Sequence, residues 1–353
     1  MEQRPRPTTD TVRNDARPAG SEIGPAPSEI PILLIIFNRA DKVRAMIERL
    51  RELAPQRLFV AADGPRPDVP GDAERCAEAR AALDGIDWPT ELRTRFQGHN
   101  LGCKVGPETA ISWFFDEVEL GIVLEDDCVP EPEFFPFCAE LLTRYRDADE
   151  VMMISGHNAA GALDGVSSSY VVSRTAPTWG WATWRRAWQH HDPEMAAWDS
   201  ADVRAELSRR LPATEYRLTR RRFDLVRTGR LDAWDFAWAF AMLRRDGRSL
   251  IATRSIVTNT GFGADATHTR TAWASAQGRV DADRPAAELL PLRHPSTPEP
   301  SAAVEAAIFR ARFPLSRQIM TLLPAGVSRA ARDIVHRTSR FLPQPAREHS
   351  EAP

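Results

Sequence analysis

The chain is poor in cysteine, in long apolar runs and in excess charge of either sign. Its 353 residues hold four cysteines, Cys76, Cys103, Cys128 and Cys138. That is too few for a disulfide framework at this length, and no pair has C-x-x-C spacing. A reducing, cytoplasmic setting is therefore expected. No apolar stretch approaches the ~20 residues of a membrane span. The formal net charge is −3, so no global basic field points to nucleic acid. There is no internal repeat. Residues Met1 to Glu29 lack the apolar core of a signal peptide. They carry Pro5, Pro7, Pro18, Pro25 and Pro27 and read as a disordered leader. With 42% hydrophobic and 27% charged residues, what is left is a globular protein with ample core for one large or two modest domains.

What is present, from Pro31 onward, is an alternation of strand and helix patterns. Ile32 to Phe37 is a continuous apolar run, as in a strand buried on both faces. Val43, Met46, Ile47, Leu50 and Leu53 then share one helical face, with Asp41 as the expected N-cap. A strand over Leu58 to Ala62 ends in Asp63-Gly64-Pro65, a strong turn signal. A helix over about Asp72 to Leu83, a strand over Glu91 to Phe96, a loop at Gly98 to Gly102 and a helix over about Val105 to Glu117 follow. Pro132 opens another helix. The pattern predicts βαβ units and a mostly parallel central sheet flanked by helices, an α/β fold.

The second half reads differently. Val151 to Ser155, Tyr170 to Ser173 and Ser249 to Val257 are expected to be extended. Trp179, Trp181, Trp184, Trp188 and Trp198 crowd one segment. Arg204 to Arg230 is basic and helical, and Leu231 to Trp238 starts a further helix. Thr260 to Thr269 is a polar loop. Beyond about Thr271 the chain turns Pro- and Ala-rich and ends among arginines.

The stretch that organises the rest is Gly121-Ile122-Val123-Leu124-Glu125-Asp126-Asp127. A buried-strand pattern stops in three consecutive carboxylates. Such acids repel one another and resist desolvation, so a positive partner is expected, and a hard divalent cation suits clustered oxygens. Ligands in open α/β sheets bind outside the carboxyl ends of strands. This arrangement suits a nucleotide diphosphate held through Mn²⁺ or Mg²⁺. Asp127, furthest past the strand end, is the expected metal ligand, with Asp126 and Glu125 facing sugar or ribose hydroxyls. A solvated acidic loop is the plainer alternative.

In order, Pro31 to Arg39, Ala62-Asp63-Gly64, Gly98 to Gly102, Val123 to Asp127, Pro132 to Phe137, Trp179-Gly180-Trp181, Trp234-Asp235 and Gly261 to His268 resemble a GT-A glycosyltransferase. The set is similar to bacterial sugar-transferase-like proteins related to the eukaryotic β-1,2-N-acetylglucosaminyltransferases acting on N-glycans and O-mannose. It spans roughly Ile30 to Thr269. The resemblance implies the GT-A fold and a metal-dependent, inverting transfer of a sugar, N-acetylglucosamine being the one suggested, from a UDP-sugar to an acceptor hydroxyl. It implies that Arg39 and Asp63 hold the uridine, that Asp127 holds the metal and that Asp235 is the general base. The plainer readings are a helix-start charge for Arg39, a turn residue for Asp63 and a helix N-terminal charge for Asp235. Asp232 and Asp265 are the competing carboxylates.

His268 is a candidate for the metal or diphosphate, against a solvated loop histidine. Lys104 is a candidate for phosphate, against a solvated lysine. Trp179, Trp181 and Trp184 are candidates for a sugar platform, although Trp184 and Trp188 are expected in the core. The implied partition is a leader at 1–29, a GT-A domain at 30–275 and a Pro/Ala/Arg-rich extension at 276–353. That extension is expected to be partly helical or disordered. Its arginines suit either peripheral contact with an anionic membrane or a solvated, chain-packing tail. The rival functions are a non-catalytic nucleotide-sugar- or carbohydrate-binding module and a nucleotidyltransferase. The missing glycine-rich basic loop after the first strand counts against the latter.

Overall fold

The structure, a computed structural model, describes residues 24–161, 163, 165–261 and 289–313. Its first half is built from β1 (Ile32–Ile36), α1 (Ala40–Leu53), β2 (Arg57–Ala62), α2 (Asp72–Ala81), β3 (Glu91–Phe96), α3 (Gly102–Glu117) and β4 (Leu120–Glu125). The second half supplies β5 (Cys128–Pro130), α4 (Phe134–Arg144), β6 (Val151–Ser155), β7 (Tyr170–Ser173), β8 (Trp181–Trp184) and α5 (Arg185–Trp188). Then come α6 (Ala201–Arg210), α7 (Ala213–Arg227), α8 (Asp235–Arg244), β9 (Arg248–Ala252), β10 (Val257–Asn259) and α9 (Ala302–Arg312). Among the described residues no helix is long and apolar enough to cross a membrane.

Eight strands form one sheet in the order β3-β2-β1-β4-β8-β6-β9-β7. The first four are parallel, with Ile32 opposite both Leu58 and Ile122. From β4 onward the sheet is mixed: β8 runs antiparallel to β4 and β6, β9 is parallel to β6, and β7 is antiparallel to β9. Only β8 and β7 run against the other six strands, so the sheet is mostly parallel, as expected, with its antiparallel members confined to the C-terminal half.

The apolar run of β1 works because both of its faces are covered. Ile32, Leu34 and Ile36 pack toward α1 and α4, among Met46, Leu50, Phe137 and Leu141. Leu33 packs on the opposite face with Phe59, Ile111, Phe114 and Trp181. Full burial of each such side chain is worth about 1.5–3 kcal/mol. A satellite core of Trp198, Phe223 and Phe240 joins α6, α7 and α8. Helix α9 rests Val304 and Ile308 on Val171 and Ile251 at the far edge of the sheet.

Local differences from the sequence pattern have identifiable causes. Helix α1 begins at Ala40 with Arg39 in the N-cap position, so Asp41 is a first-turn charge facing the helix dipole rather than the cap. Helix α3 starts at Gly102, ahead of the expected Val105. The basic helical stretch is two helices, because Pro212 forces Leu211 into an extended conformation between them. Helix α8 starts at Asp235, not at Leu231. Residues 24–29 belong to the described structure: the Ser28 carbonyl accepts a bond from the Gln56 amide at 2.8 Å.

Candidate functional site

The strand order reverses between β1 and its two parallel neighbours. The chain leaves β1 for β2 and β3 on one side, then returns to place β4 on the other. The crevice outside the carboxyl ends of β1 and β4 is thus a topological switch point, where such sheets bind ligands. A cleft of about 1220 Å³ opens there. Arg39, Asp63, Glu125, Asp126, Asp127 and Asp235 all line it, although they are spread over nearly 200 residues of sequence.

The backbone fixes the acids. The Asp126 amide donates to the Ile35 carbonyl at 3.0 Å, extending the β1–β4 ladder one residue past the strand. The Asp63 amide donates to the Ile36 carbonyl at 3.2 Å and does the same for β2. Asp127 is held by the small β5–β10 sheet, where the Thr260 amide donates to its carbonyl at 2.7 Å. Lys42 Nζ donates to the carbonyl and hydroxyl of Thr260, each at 3.0 Å, tying that loop to α1.

Arg39 supplies part of the positive charge that three adjacent carboxylates demand. Its guanidinium pairs with Asp126 and donates to Asp127 Oδ2 at 2.9 Å. Burial alone would lower the Arg39 pKa, but the charges of Asp126 and Asp127 outweigh it and hold the guanidinium protonated more firmly than usual. One guanidinium does not balance three acids. Burial, then the charges of Asp127, Asp126 and Asp235, push Glu125 up to about 8. Asp126 is pushed up to about 6 by burial and by Asp127, with Arg39 pulling it back. The second oxygen of Asp126 is buried without a hydrogen-bond partner.

These groups fit a divalent cation in the donor chemistry they offer: hard carboxylate oxygens, an orphaned buried acceptor and unbalanced negative charge. Among the described residues no three His, Cys, Asp or Glu side chains converge into a complete cage. A single carboxylate acting with the oxygens of a bound diphosphate is the arrangement left open to Asp127.

Asp63 is a clamp as well as a wall. Its Oδ1 accepts from the amides of Gly64 and Leu101, each at 2.8 Å. Its Oδ2 accepts from Asn100 Nδ2 at 2.9 Å and from the Gly102 amide at 3.2 Å. The carboxylate thereby fastens the Gly98–Gly102 loop and the start of α3 to β2. Gly64 permits this approach, since a Cβ there would lie 2.4 Å from the His99 backbone.

Asp235 stands in the first turn of α8, and burial raises its pKa against the opposing charge of Arg312. Behind it lies a block of tryptophans. Trp181 stacks on Trp234 at 5.7 Å, and Trp188 and Trp238 close the cluster. Such pairs add about 0.5–1.5 kcal/mol each beyond their area. Trp181, Trp184 and Trp188 are core residues; of the platform candidates only Trp179 lines the cleft, with its ring 4.4 Å from that of His157.

Asp232 also lines the cleft; it is exposed, and its Oδ2 accepts from the Cys103 amide at 3.0 Å at the start of α3. Lys104 is not among the cleft-lining residues. His268 and Asp265 lie outside the described residues, as do most arginines of the C-terminal extension. Arg312 is described, and its side chain is half-buried.

The sequence pattern did not single out the hub at Asp72. Its buried carboxylate accepts from Asn38 Nδ2 at 2.6 Å, from the Arg66 amide at 2.9 Å and Nε at 2.8 Å, and from Arg75 at 2.7 Å. It orders two arginines of the cleft rim. An acid in the first turn of a helix carries no sign of that role in sequence.

No protein-family model matches the chain, and no curated protein matches it. Among solved structures it is similar to the crystal structure of HddC from Yersinia pseudotuberculosis, at 12% identity. That likeness covers 44% of this chain and 77% of the other, with a TM-score of 0.26, and carries no inference about fold or function.

Proposed function

We propose that the chain is a GT-A glycosyltransferase that moves a hexosyl or N-acetylhexosaminyl group from a nucleotide-diphosphate donor, with inversion, to an acceptor hydroxyl. One observation carries this reading: the acids ending β4 and the separate carboxylate of Asp235 line the same cleft at the switch point of the sheet. Donor binding and proton removal need carboxylates of these two kinds in one cavity.

In this reading the β1–β2 end of the cleft takes the nucleoside. Arg39 and Asn38 after β1, and the loop that Asp63 anchors, line that end. Asp127 lies where the diphosphate would sit, and a divalent cation bound there would neutralise the departing diphosphate. Glu125 and Asp126 face the sugar and ribose hydroxyls. Trp179 offers an apolar surface on the acceptor side. Asp235 accepts the proton of the acceptor hydroxyl as its oxygen bonds to the anomeric carbon. The bond from that carbon to the diphosphate breaks, and the nucleoside diphosphate leaves with the electron pair.

A binding module without turnover would have no use for a second, desolvated carboxylate in the cleft. A nucleotidyltransferase is less well supported, because Phe37-Asn38-Arg39-Ala40 after β1 is not a glycine-rich phosphate loop. Calorimetry with UDP and a panel of nucleotide sugars, with and without Mn²⁺, tests the proposal. Binding that requires Mn²⁺ and is abolished by Asp127→Ala is the expected result. Equal binding in excess EDTA would remove the metal from the reading, and release of pyrophosphate rather than free sugar would indicate nucleotidyl transfer.

A further inference from the structure

The Asp63 carboxylate has no acceptor capacity left for a ligand. A carboxylate offers about four acceptor sites. The Gly64 and Leu101 amides occupy one oxygen, and the Asn100 side chain and the Gly102 amide occupy the other. The acid that the resemblance assigns to the uridine is thus bonded wholly to its own chain.

Its partner Asn100 is held in one orientation. Asn100 Nδ2 donates to Asp63 Oδ2 at 2.9 Å and to the Gly64 carbonyl at 3.0 Å. A carboxylate and a carbonyl only accept, so the nitrogen must face them and the carboxamide cannot turn over. Asn100 lines the cleft, and its Oδ1 is the polar side-chain atom it has left to present there. That oxygen has no partner among the described residues and is not sealed from solvent. It is an acceptor fixed in place before any ligand arrives.

The same end of the cleft carries a flat surface. Phe37 follows β1 and Arg66 follows β2, and the Arg66 guanidinium lies 5.1 Å from the Phe37 ring centre. Asp72 grips that guanidinium twice, at Nε over 2.8 Å and at Nη2 over 3.0 Å. Both side chains line the cleft. A pinned guanidinium on an aromatic ring suits the stacking of a nucleobase. Gly64, whose carbonyl orients Asn100, stands two residues before Arg66, so one turn after β2 supports both features.

We propose that Asn100 reads the nucleobase of the donor: its Oδ1 accepts an N–H from the pairing edge of the base. Uracil and thymine carry an imide N–H that supplies this donor. Cytosine presents a bare ring nitrogen at that place, and two opposed acceptors leave both unsatisfied. The proposal rests on the reading of the β1–β2 end as the seat of the nucleoside. It gives Asn100 the contact that the resemblance gives to Asp63, and makes Asp63 its positioning residue.

The test is calorimetry of the Mn²⁺-loaded protein with UDP, CDP and UDP methylated at N3, the nitrogen whose N–H is used. UDP should bind roughly tenfold or more tightly than either of the others. That comparison is made on the wild-type chain, so it stands even if a variant does not fold. Asn100→Ala should erase the preference. The ratio is the readout, because this variant also loses the Nδ2 bonds and weakens all three nucleotides. Gln97→Ala, which truncates a neighbouring carboxamide of the cleft wall, should keep the preference. A preference that survives Asn100→Ala, or that is lost with Gln97→Ala instead, overturns the proposal. Mn²⁺-dependent UDP binding without any preference overturns it alone and leaves the transferase reading standing. An Asn100-dependent preference that needs neither Mn²⁺ nor Asp127 upholds it and rejects the metal-dependent transferase. Absence of any UDP binding overturns both.

Discussion

Gly261 lies directly against the carboxylate of Asp127: a Cβ at that glycine would come within 2.1 Å of Asp127 Oδ2. Asn259 fixes this contact, because its side-chain oxygen accepts from the Gly261 amide at 2.7 Å. The glycine is required by space. Asp127 Oδ2 is also bonded to Arg39, so it has little room to retreat.

Gly261→Ala should therefore displace the Asp127 carboxylate while leaving the fold intact. The expected outcome is Mn²⁺-dependent UDP binding weakened roughly tenfold, about 1.4 kcal/mol, with a melting temperature close to wild type. Unchanged affinity by calorimetry would mean that the Thr260–Gly261 loop yields and that the contact sets nothing.

Asp72 offers a test of the cleft rim that does not depend on the proposed chemistry. Asp72→Asn keeps the shape but places an amide among three donors. The loss should be about 1–3 kcal/mol, toward the lower end because Arg66 and Arg75 are 38% and 42% exposed and water takes over part of their bonding. Bonds from the Arg66 side chain, opposed by burial and reinforced by the Arg66 amide, Asn38 and Arg75, hold this carboxyl well below its ordinary 3.8. A depressed native pKa contributes stability above the unfolded value, and that stability is lost as pH falls toward the native one. The gap between wild type and Asp72→Asn in urea denaturation should thus be full at pH 7 and shrink steadily below about pH 4.

Much of this was legible in the chain. The β1, β2 and β4 patterns are apolar runs long enough to identify, and the three acids closing β4 stand out in the sequence as a candidate site. Strand β8 was not legible: Trp181–Trp184 is buried on both sides between β4 and β6, and only those distant partners make it a strand. Strand β5 has three residues and exists through β10. Asp235 could be picked out because Trp234 precedes it, and that tryptophan proves to be part of the core block on which the carboxylate stands.

Asp235→Asn should remove turnover and leave donor binding. A general base acts on the proton that moves in the transition state, and its loss typically costs ~10²–10⁴-fold. Asparagine preserves size and hydrogen-bonding shape but cannot accept that proton. The variant should bind nucleotide sugar and UDP with Mn²⁺ about as well as wild type, while transfer, or slow hydrolysis of the donor by water, falls by that factor. Asp232→Asn is the matched control. Asp232 is exposed and bonded to the Cys103 amide, so its loss should loosen the start of α3 and change donor affinity more than turnover. Near-normal hydrolysis by Asp235→Asn beside a collapse in Asp232→Asn would move the base to Asp232. Joint loss of donor binding and turnover in Asp235→Asn would make this carboxylate a folding residue at the start of α8. The first-turn position is compatible with that outcome, and calorimetry run beside the hydrolysis assay separates the two.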